Sequence, residues 1–238
     1  GAAALLAKTN DVPIKAVYIY EQPEWTALVV GKDSPITSPR DLNGRKVAAT
    51  KGTDPYFFLL RTLNAYGLSQ SDVELVDLQH DQGRRALERG QVEAWAGLDP
   101  HMAASELEAG SRLVYRNKDF NTYGFLNGRE AFLTQHPDAT RKVLELYERA
   151  RRWTIEHPED AARILSEESQ VSMDVARREL FDRMNLRASA IPGEEHTAAL
   201  KAVIPIMKAE RLVKEGSDPE RAVAELIEPV YARAVVGG

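Results

Sequence analysis

Short strand patterns alternate with helix patterns in the middle of the chain, and this alternation constrains the fold more than any other feature. Gly67 and Gly90, which can adopt the left-handed conformation, follow two of the helical segments and end them. Strands separated by helices of this length predict an α/β fold with a parallel or mixed sheet covered by helices. The predicted strands are 46–50, 73–78, 92–98 and 113–115. The predicted helices between them are 55–66, 83–89 and one opened by Asp99-Pro100.

The segments on either side of this region have a different character. Residues 1–8 are rich in Ala and Leu and predict a helix, whereas 14–20 and 25–30 predict strands because they are short, β-branched and aromatic. After residue 117 the chain is predicted to be mainly helical. A long helix begins at Pro137, with Val143, Leu146, Tyr147, Ala150 and Trp153 on one apolar face. Further helices are predicted at 158–166, 172–184, 194–213 with a kink at Pro205, and 219–234.

Composition excludes several classes of function. The chain of 238 residues carries a net charge of −5, so it is a poor candidate for nucleic-acid binding, which requires a dense basic face. It has no cysteine, which excludes disulfides, thiolate metal sites, iron–sulfur clusters and cysteine nucleophiles. Its five histidines have no metal-ligand spacing, and there is no nucleophile elbow or dinucleotide-binding glycine motif. We therefore expect no metal, no cofactor and no catalytic residue.

The loop Thr50-Lys51-Gly52-Thr53-Asp54-Pro55 lies between a predicted strand and a helix start. Free amides at a helix N-terminus, with a glycine that allows close approach and a threonine hydroxyl, can form an anion site. The alternative is an ordinary Asp or Thr cap before a proline in the first turn. The second glycine and the Lys-Ser/Thr pair of a phosphate loop are missing.

The segment Trp95-Ala96-Gly97-Leu98-Asp99-Pro100 ends a strand and begins a helix. In open α/β sheets, ligands bind at the carboxyl ends of the strands. Trp95 could form an apolar wall there, and Asp99 could contact a ligand. The alternative for each is structural: Trp95 as a core residue, and Asp99 as a helix cap.

Four motifs together resemble a known family. They are SPRDLNGRKVA at 38–48, KGT at 51–53, ALERGQVEAW at 86–95 and Asp99-Pro100. In this order and spacing they resemble the periplasmic substrate-binding proteins of ABC importers for aliphatic sulfonates and taurine. The wider group includes nitrate-binding and thiamine-precursor-binding proteins.

The resemblance implies a type II periplasmic binding protein of two α/β lobes joined by hinge strands. Residues 1–33 and 118–238 would form the first lobe with a helical C-terminal tail, and 34–117 the second lobe. An N-terminal βαβ part of the first lobe, present in the family, is expected to be absent from this chain.

The resemblance also implies a set of ligand-binding residues. From the second lobe, the matching positions are Lys51, Gly52 and Thr53 in the helix-start loop, and Trp95 and Asp99 at the cleft. From the first lobe, position alone places near the cleft Gly1, Ala2, Gln22, Trp25, Asn121 and Tyr123. Ala2 stands where some members have a polar residue, so only its backbone amide would contribute.

The function implied is that of a periplasmic, monomeric solute-binding protein that delivers an aliphatic sulfonate or similar small organic anion to a membrane permease. A binding protein for nitrate or a thiamine-pyrimidine precursor is the alternative within the same group. An enzyme related to a thiamine-pyrimidine synthase is disfavoured because that activity depends on a cysteine-rich iron site. The effector domain of a transcription regulator is disfavoured by the long helical tail after Asn117.

Overall fold

The computed structural model describes residues 1–236. The strands are β1 (Ile14–Pro23), β2 (Leu28–Val30), β3 (Lys46–Ala49), β4 (Glu74–Asp77), β5 (Ala94–Ala96), β6 (Arg112–Tyr115), β7 (Gly124–Arg129) and β8 (Met184–Asn185). The α-helices are α1 (Ala2–Thr9), α2 (Asp54–Ala65), α3 (His80–Glu88), α4 (His101–Ala109), α5 (Glu130–Gln135), α6 (Pro137–Glu156), α7 (Pro158–Ser169), α8 (Met173–Arg177), α9 (Glu194–Lys201), α10 (Ile204–Ala209), α11 (Pro219–Leu226) and α12 (Val230–Arg233). Short 3₁₀ turns lie at Pro39–Leu42, Gln70–Asp72 and Lys118–Phe120, and a π-helical turn at Arg178–Arg183.

Internal contacts divide the chain into two units. The first unit comprises Gly1–Pro23, Thr122–Pro158 and Asn185–Gly238, and the second comprises Glu24–Asn121 and Glu159–Met184. The second unit contains all of the segment 34–117 that was expected to form one lobe. It also contains 24–33, 118–121 and 159–184.

The second unit is built on a mixed five-stranded sheet in the order β4-β3-β5-β2-β6. Strand β3 runs parallel to β4 and β5, whereas β2 is antiparallel to β5 and β6. The predicted α/β fold class is therefore confirmed. Its central strands are short apolar runs buried on both faces, as expected for strands covered by helices. The core between sheet and helices includes Val29, Ala48, Leu87, Trp95 and Met102.

The first unit contains a three-stranded sheet in the order β7-β1-β8. The central strand β1 pairs with β7 in antiparallel register, with Ile19 opposite Phe125. The chain after residue 117 is mainly helical, as predicted, but strand β7 was not predicted. Its sequence, GFLNGR, contains two glycines and an Asn-Gly pair, which are typical of turns. Pairing with β1 overrides this local preference.

Helix α6 begins at Pro137 as predicted, but its buried face is not the predicted one. Thr140, Leu144 and Glu148 are buried, whereas the predicted apolar face is largely exposed. The exposed fractions of Val143, Leu146, Tyr147 and Trp153 lie between 37% and 45%. A buried carboxylate therefore takes a position that periodicity assigns to the polar side, which is possible because Glu148 is fully paired.

Four other predicted elements differ from the structure. Trp25 lies before β2 rather than in it, since the strand begins at Leu28. The helices predicted at 194–213 and 219–234 are each divided into two. The first break lies just before Pro205, which is in the first turn of α10, and the second lies at 227–229, a segment that contains Pro229. Proline cannot donate the backbone hydrogen bond that a continuous helix needs, so the break is sharper than the predicted kink. The helix predicted at 172–184 becomes α8 followed by the π-helical turn.

Candidate functional site

The loop after β3 uses most of its own donors internally. The amide of Lys51 donates to Asp77 Oδ1 at 3.1 Å, and both the amide and hydroxyl of Thr53 donate to the carbonyl of Thr50. Gly52 has φ +77°, and the space where a Cβ would lie is open, so a group could approach its backbone closely. Thr53 occupies the cap position of α2 without a side-chain capping bond. Of the three predicted loop residues, Gly52 and the exposed side chain of Lys51 are the ones best placed to meet a ligand.

Two histidines lie at the starts of α3 and α4, after the strands that flank this part of the sheet. The hydroxyl of Thr50 donates to the carbonyl of Leu78 at 2.6 Å, so its oxygen accepts from His80 Nδ1 at 3.2 Å. Neutral His80 then carries its proton on Nδ1 and a lone pair on Nε2. Burial, followed by the charge of His101, lowers the pKa of His80. The sequence analysis named neither histidine as a site residue.

Trp95 is a core residue, which is the structural alternative stated for it. Its side chain is fully buried in β5, between Ala48 and the helices that cover the sheet. Gly83 of α3 lies against the indole, so that a Cβ added there would come within 2.6 Å of the Trp95 Nε1 atom. An indole enclosed in this way has no surface to present to a ligand. The expectation that Trp95 lines the cleft is therefore corrected.

Asp99 is held by a helix and by an arginine. Its Oδ1 accepts the amide of Ala103 at 2.8 Å, as a cap of α4, and Arg183 Nη1 lies 3.0 Å from Oδ2. Burial raises the pKa of Asp99 to about 6, although the positive charge of Arg183 opposes this shift. Both partners of the Asp99 carboxyl lie within the second unit. The hydrogen bond from Ala103 is the one that the helix-cap alternative predicted, and the ion pair with Arg183 is additional.

Trp25 and Asn121 lie near the two ends of the segment Glu24–Asn121 of the second unit. The carbonyl of Trp25 accepts the amide of Asp99 at 3.1 Å. Asn121 Oδ1 accepts the amide of Thr26 at 3.1 Å, and its Nδ2 donates to the carbonyl of Asn117. Both ends of the Asn121 side-chain amide are therefore occupied by hydrogen bonds to the backbone. The Trp25 ring is only partly buried, and its Nε1 has no hydrogen-bond partner.

In the first unit, Gln22 and Tyr123 are joined directly. Gln22 Nε2 donates to the Tyr123 hydroxyl at 3.2 Å, and Gln22 Oε1 accepts from Asn185 at 3.3 Å. The amide of Ala2 donates to Thr122 Oγ1 at 3.2 Å. A ligand that used the Ala2 amide would have to displace this bond. Gly1 also packs on Thr122, which leaves no room for a Cβ.

A buried histidine, His196, packs against the ring of Tyr123. The His196 ring lies 4.4 Å from the Tyr123 ring in an edge-on arrangement, and Nδ1 accepts the amide of Gly193 at 3.0 Å. Neutral His196 therefore carries its proton on Nε2. Burial lowers the pKa of His196, which favours this neutral form. No sequence signal distinguished this residue, because a lone histidine in a helix reads as an ordinary side chain.

Two open grooves, one in each unit, lie away from these residues. A groove of about 400 Å³ in the second unit is lined by residues that include Lys32, Asp33, Glu88 and Glu93. A more apolar groove of about 260 Å³ in the first unit is lined by residues of β7, α5 and α6. Neither contains a residue predicted to bind the ligand.

Two kinds of feature are absent from residues 1–236. None of the helices there combines the length and the apolar character needed to cross a membrane. In the same range, no group of three or more His, Asp or Glu side chains is arranged to hold a metal ion.

Comparison with known proteins adds to this geometry. The NMT1/THI5 like family profile matches residues 2–161. The chain belongs to the NMT1/THI5-like family. This finding agrees with the wider group that the four sequence motifs indicated.

Two curated relatives are similar to part of the chain, and both are provisionally named aliphatic sulfonates-binding proteins. That of Escherichia coli (strain K12) is 33% identical over 130 residues, which cover 50% of this chain and 41% of the relative. That of Bacillus subtilis (strain 168) is 30% identical over 142 residues, which cover 59% of this chain and 43% of the relative. The matched segments thus span less than half the length of either relative.

Solved structures are similar over almost the whole chain. The alkanesulfonate-binding protein SsuA from Xanthomonas axonopodis pv. citri, solved with bound MOPS, aligns with a TM-score of 0.80 at 25% identity. The alignment covers 92% of this chain and 76% of that protein. A desulfurization enzyme aligns with a TM-score of 0.72 at 17% identity, a likeness that shows the fold alone.

Proposed function

We propose that this protein is the solute-binding component of an ABC importer and that it binds an aliphatic sulfonate or a similar small organic anion. The observation that carries the proposal is the agreement of two independent likenesses. The curated relatives are named for aliphatic sulfonates, and a solved structure of the same fold holds MOPS, a sulfonate.

The ligand chemistry fits the groups available in each unit. A sulfonate keeps its single negative charge across the biological pH range, so neutral donors and helix-start amides can hold it. In the second unit we assign this role to the Gly52 backbone and the Lys51 side chain, and in the first unit to Gln22 and Tyr123. The partly buried Trp25 ring can cover an apolar tail. Trp95 and Asn121 are not part of the proposed set.

The remaining parts of the proposal follow from the class of protein. The partner is a membrane permease, the compartment is the periplasm, and the protein works as a monomer without catalytic turnover. The lobe boundaries 1–33, 118–238 and 34–117 also remain a proposal.

Isothermal titration of the full chain tests the ligand class. The probes are alkanesulfonates of increasing chain length, taurine, MOPS, nitrate, sulfate and a hydroxymethyl pyrimidine. We expect saturable binding of at least one sulfonate and no turnover of it. Binding of nitrate or of the pyrimidine alone would replace the proposal with the corresponding alternative. Absence of binding by every probe would contradict it.

A pair of variants tests the proposed contacts. Gln22→Ala removes an amide that could donate to the anion, and loss of a hydrogen bond to a charged group should weaken sulfonate binding about tenfold or more. Gln91→Ala serves as the control because Gln91 is exposed and lies outside the proposed set. Equal affinities for the two variants would remove Gln22 from the site.

A further inference from the structure

A cluster of buried ionisable side chains in the second unit contains more acids than bases. We name it the Arg183 cluster, and its members are Asp99, Glu106, Glu179 and Arg183. Arg183 donates to Asp99 and to Glu106, and the side chains of Asp99 and Arg183 are only 1% and 2% exposed. One guanidinium thus faces three carboxyl groups. If all of them were ionised, the cluster would hold two excess negative charges inside the protein, which is costly in a medium of low polarity.

The neighbouring charges do not correct this imbalance. Arg116 is the other cation whose charge acts on Asp99 and Glu106, but it donates to both oxygens of Glu24, at 2.8 and 3.0 Å. It therefore brings its own carboxylate with it.

Glu179 is the member of the cluster without a counter-ion. It is 8% exposed, and its Oε2 atom is buried with no hydrogen-bond partner. Across the described residues 1–236 it forms no ion pair. Arg183, four residues later, acts on it through charge alone and is already bonded to Asp99 and Glu106. Both residues lie on the π-helical turn Arg178–Arg183, a rare geometry that is often found at functional sites.

The Arg183 cluster also fixes two segments at which the chain enters or leaves the second unit. The chain first enters this unit at Glu24 and finally leaves it after Met184. The amide of Glu24 donates to the carbonyl of Arg183 at 2.7 Å, and the amide of Asp99 donates to the carbonyl of Trp25. A change in the charge of the cluster therefore acts directly on the backbone of both segments.

We propose that Glu179 is a proton-binding site, and that its loss of a proton as the pH rises loosens the hold of the Arg183 cluster on the entry and exit segments of the second unit. Ionised Glu179 repels Asp99 and competes with it for Arg183. Burial, followed by the charge of Asp99, raises the pKa of Glu179 to about 7, in agreement with the geometry.

The direction of the effect on stability follows from this shift. Because the folded protein holds the proton of Glu179 more tightly than the unfolded chain does, it binds more protons between the ordinary glutamate value and about pH 7. The stabilising contribution is complete at low pH and is lost as the pH rises through about 7. The burial of Asp99, whose pKa is raised to about 6, acts in the same direction at slightly lower pH.

Urea unfolding of three proteins at pH 5.5, 6.5 and 7.5 tests the proton site. Glu179→Gln keeps the shape of the side chain and removes its titration. Glu168→Gln, on the exposed surface of the same unit, is the matched control. Relative to E179Q, we expect the unfolding constant of the wild type and of E168Q to rise about twentyfold over this range. Parallel pH profiles for wild type and E179Q would overturn the proposal.

Amide hydrogen exchange tests the effect on the segments without requiring a ligand. After correction for the intrinsic pH dependence, protection of the Glu24 amide should fall above pH 7 in the wild type and stay constant in E179Q. The Phe57 amide is the internal control, because it donates to the carbonyl of Thr53 in the same unit and is not bonded to the cluster or to the entry segment. Protection at Glu24 that is the same in both proteins at every pH would contradict the coupling.

Discussion

The two units of this protein each bury an ionic cluster, and the two clusters have opposite charge balance. In the first unit, Glu148 accepts from the Tyr18 hydroxyl at 2.6 Å, from Arg151 at 3.0 Å and from Arg152 at 2.7 Å. We name this the Glu148 cluster. It has one carboxylate for two guanidinium groups, whereas the Arg183 cluster has three carboxyl groups for one.

The difference shows that burial alone does not set the ionisation of a carboxyl group. Burial by itself raises the pKa of Glu148, but hydrogen bonds from Tyr18, Arg152 and Arg151 outweigh it, so the pKa lies below its ordinary value. At Glu179 the charge of Arg183 opposes burial without a hydrogen bond, and the pKa rises to about 7. Asp99 accepts hydrogen bonds from Ala103 and Arg183, but burial outweighs them and its pKa rises to about 6. The balance between burial and the donors and charges around each carboxyl group decides the direction.

The largest expected effect is the loss of the single cation in the acid-rich cluster. Arg183→Met leaves Asp99 and Glu106 buried without their partner, so it should lower the free energy of unfolding by about 3–5 kcal/mol at pH 7.5. Urea denaturation measures this loss. The deficit should shrink at pH 5.5, where the carboxyl groups take up protons more readily. A small loss of stability, or one that grows as the pH falls, would show that repulsion between the carboxylates does not determine the stability of the cluster.

Removing the carboxylate of the base-rich cluster should have a smaller effect with the opposite pH dependence. Glu148→Gln should cost about 2–3 kcal/mol at pH 7, because Arg151 is mostly buried and loses its partner while Arg152 is half exposed. The lowered pKa of Glu148 stabilises the fold above the ordinary glutamate value, and this contribution is lost as the pH falls through the folded value. Wild type and E148Q should therefore converge in acid, which unfolding at pH 3.5 and pH 7 can check.

The smallest expected effect tests how much the Tyr18 hydroxyl contributes to keeping Glu148 ionised. Tyr18→Phe removes one hydroxyl from Glu148 and should cost about 1 kcal/mol. Tyr147→Phe, at an exposed position of α6, is the control and should be neutral. The pH at which Glu148 titrates, followed by NMR of its side chain, should rise in Y18F. An unchanged titration would show that the two arginines alone hold the carboxylate ionised.

The candidate site shows where inference from sequence stopped. The loop at 51–53 and the strand end at Asp99 could be located from motif spacing, because a strand followed by a helix fixes the backbone between them. Which of their hydrogen-bonding groups remain available to a ligand could not be predicted. The amide of Lys51 is taken by Asp77 and the carboxyl of Asp99 by Arg183, partners that lie 26 and 84 residues away along the chain. Contacts of this kind depend on packing between distant segments.

By itself, the sequence determined the α/β class, the order of strands and helices in 46–115, the exclusion of cysteine chemistry and the family likeness. These follow from local periodicity, turn residues and composition, which act over a few residues. The tertiary structure alone decided that β7 is a strand, that Trp95 is enclosed and that Glu148 rather than Trp153 faces inward on α6. It also placed Glu179 next to Asp99. Each of these depends on which side chains meet across the fold, since burial is favourable only where a partner or an apolar surface is present to receive the group.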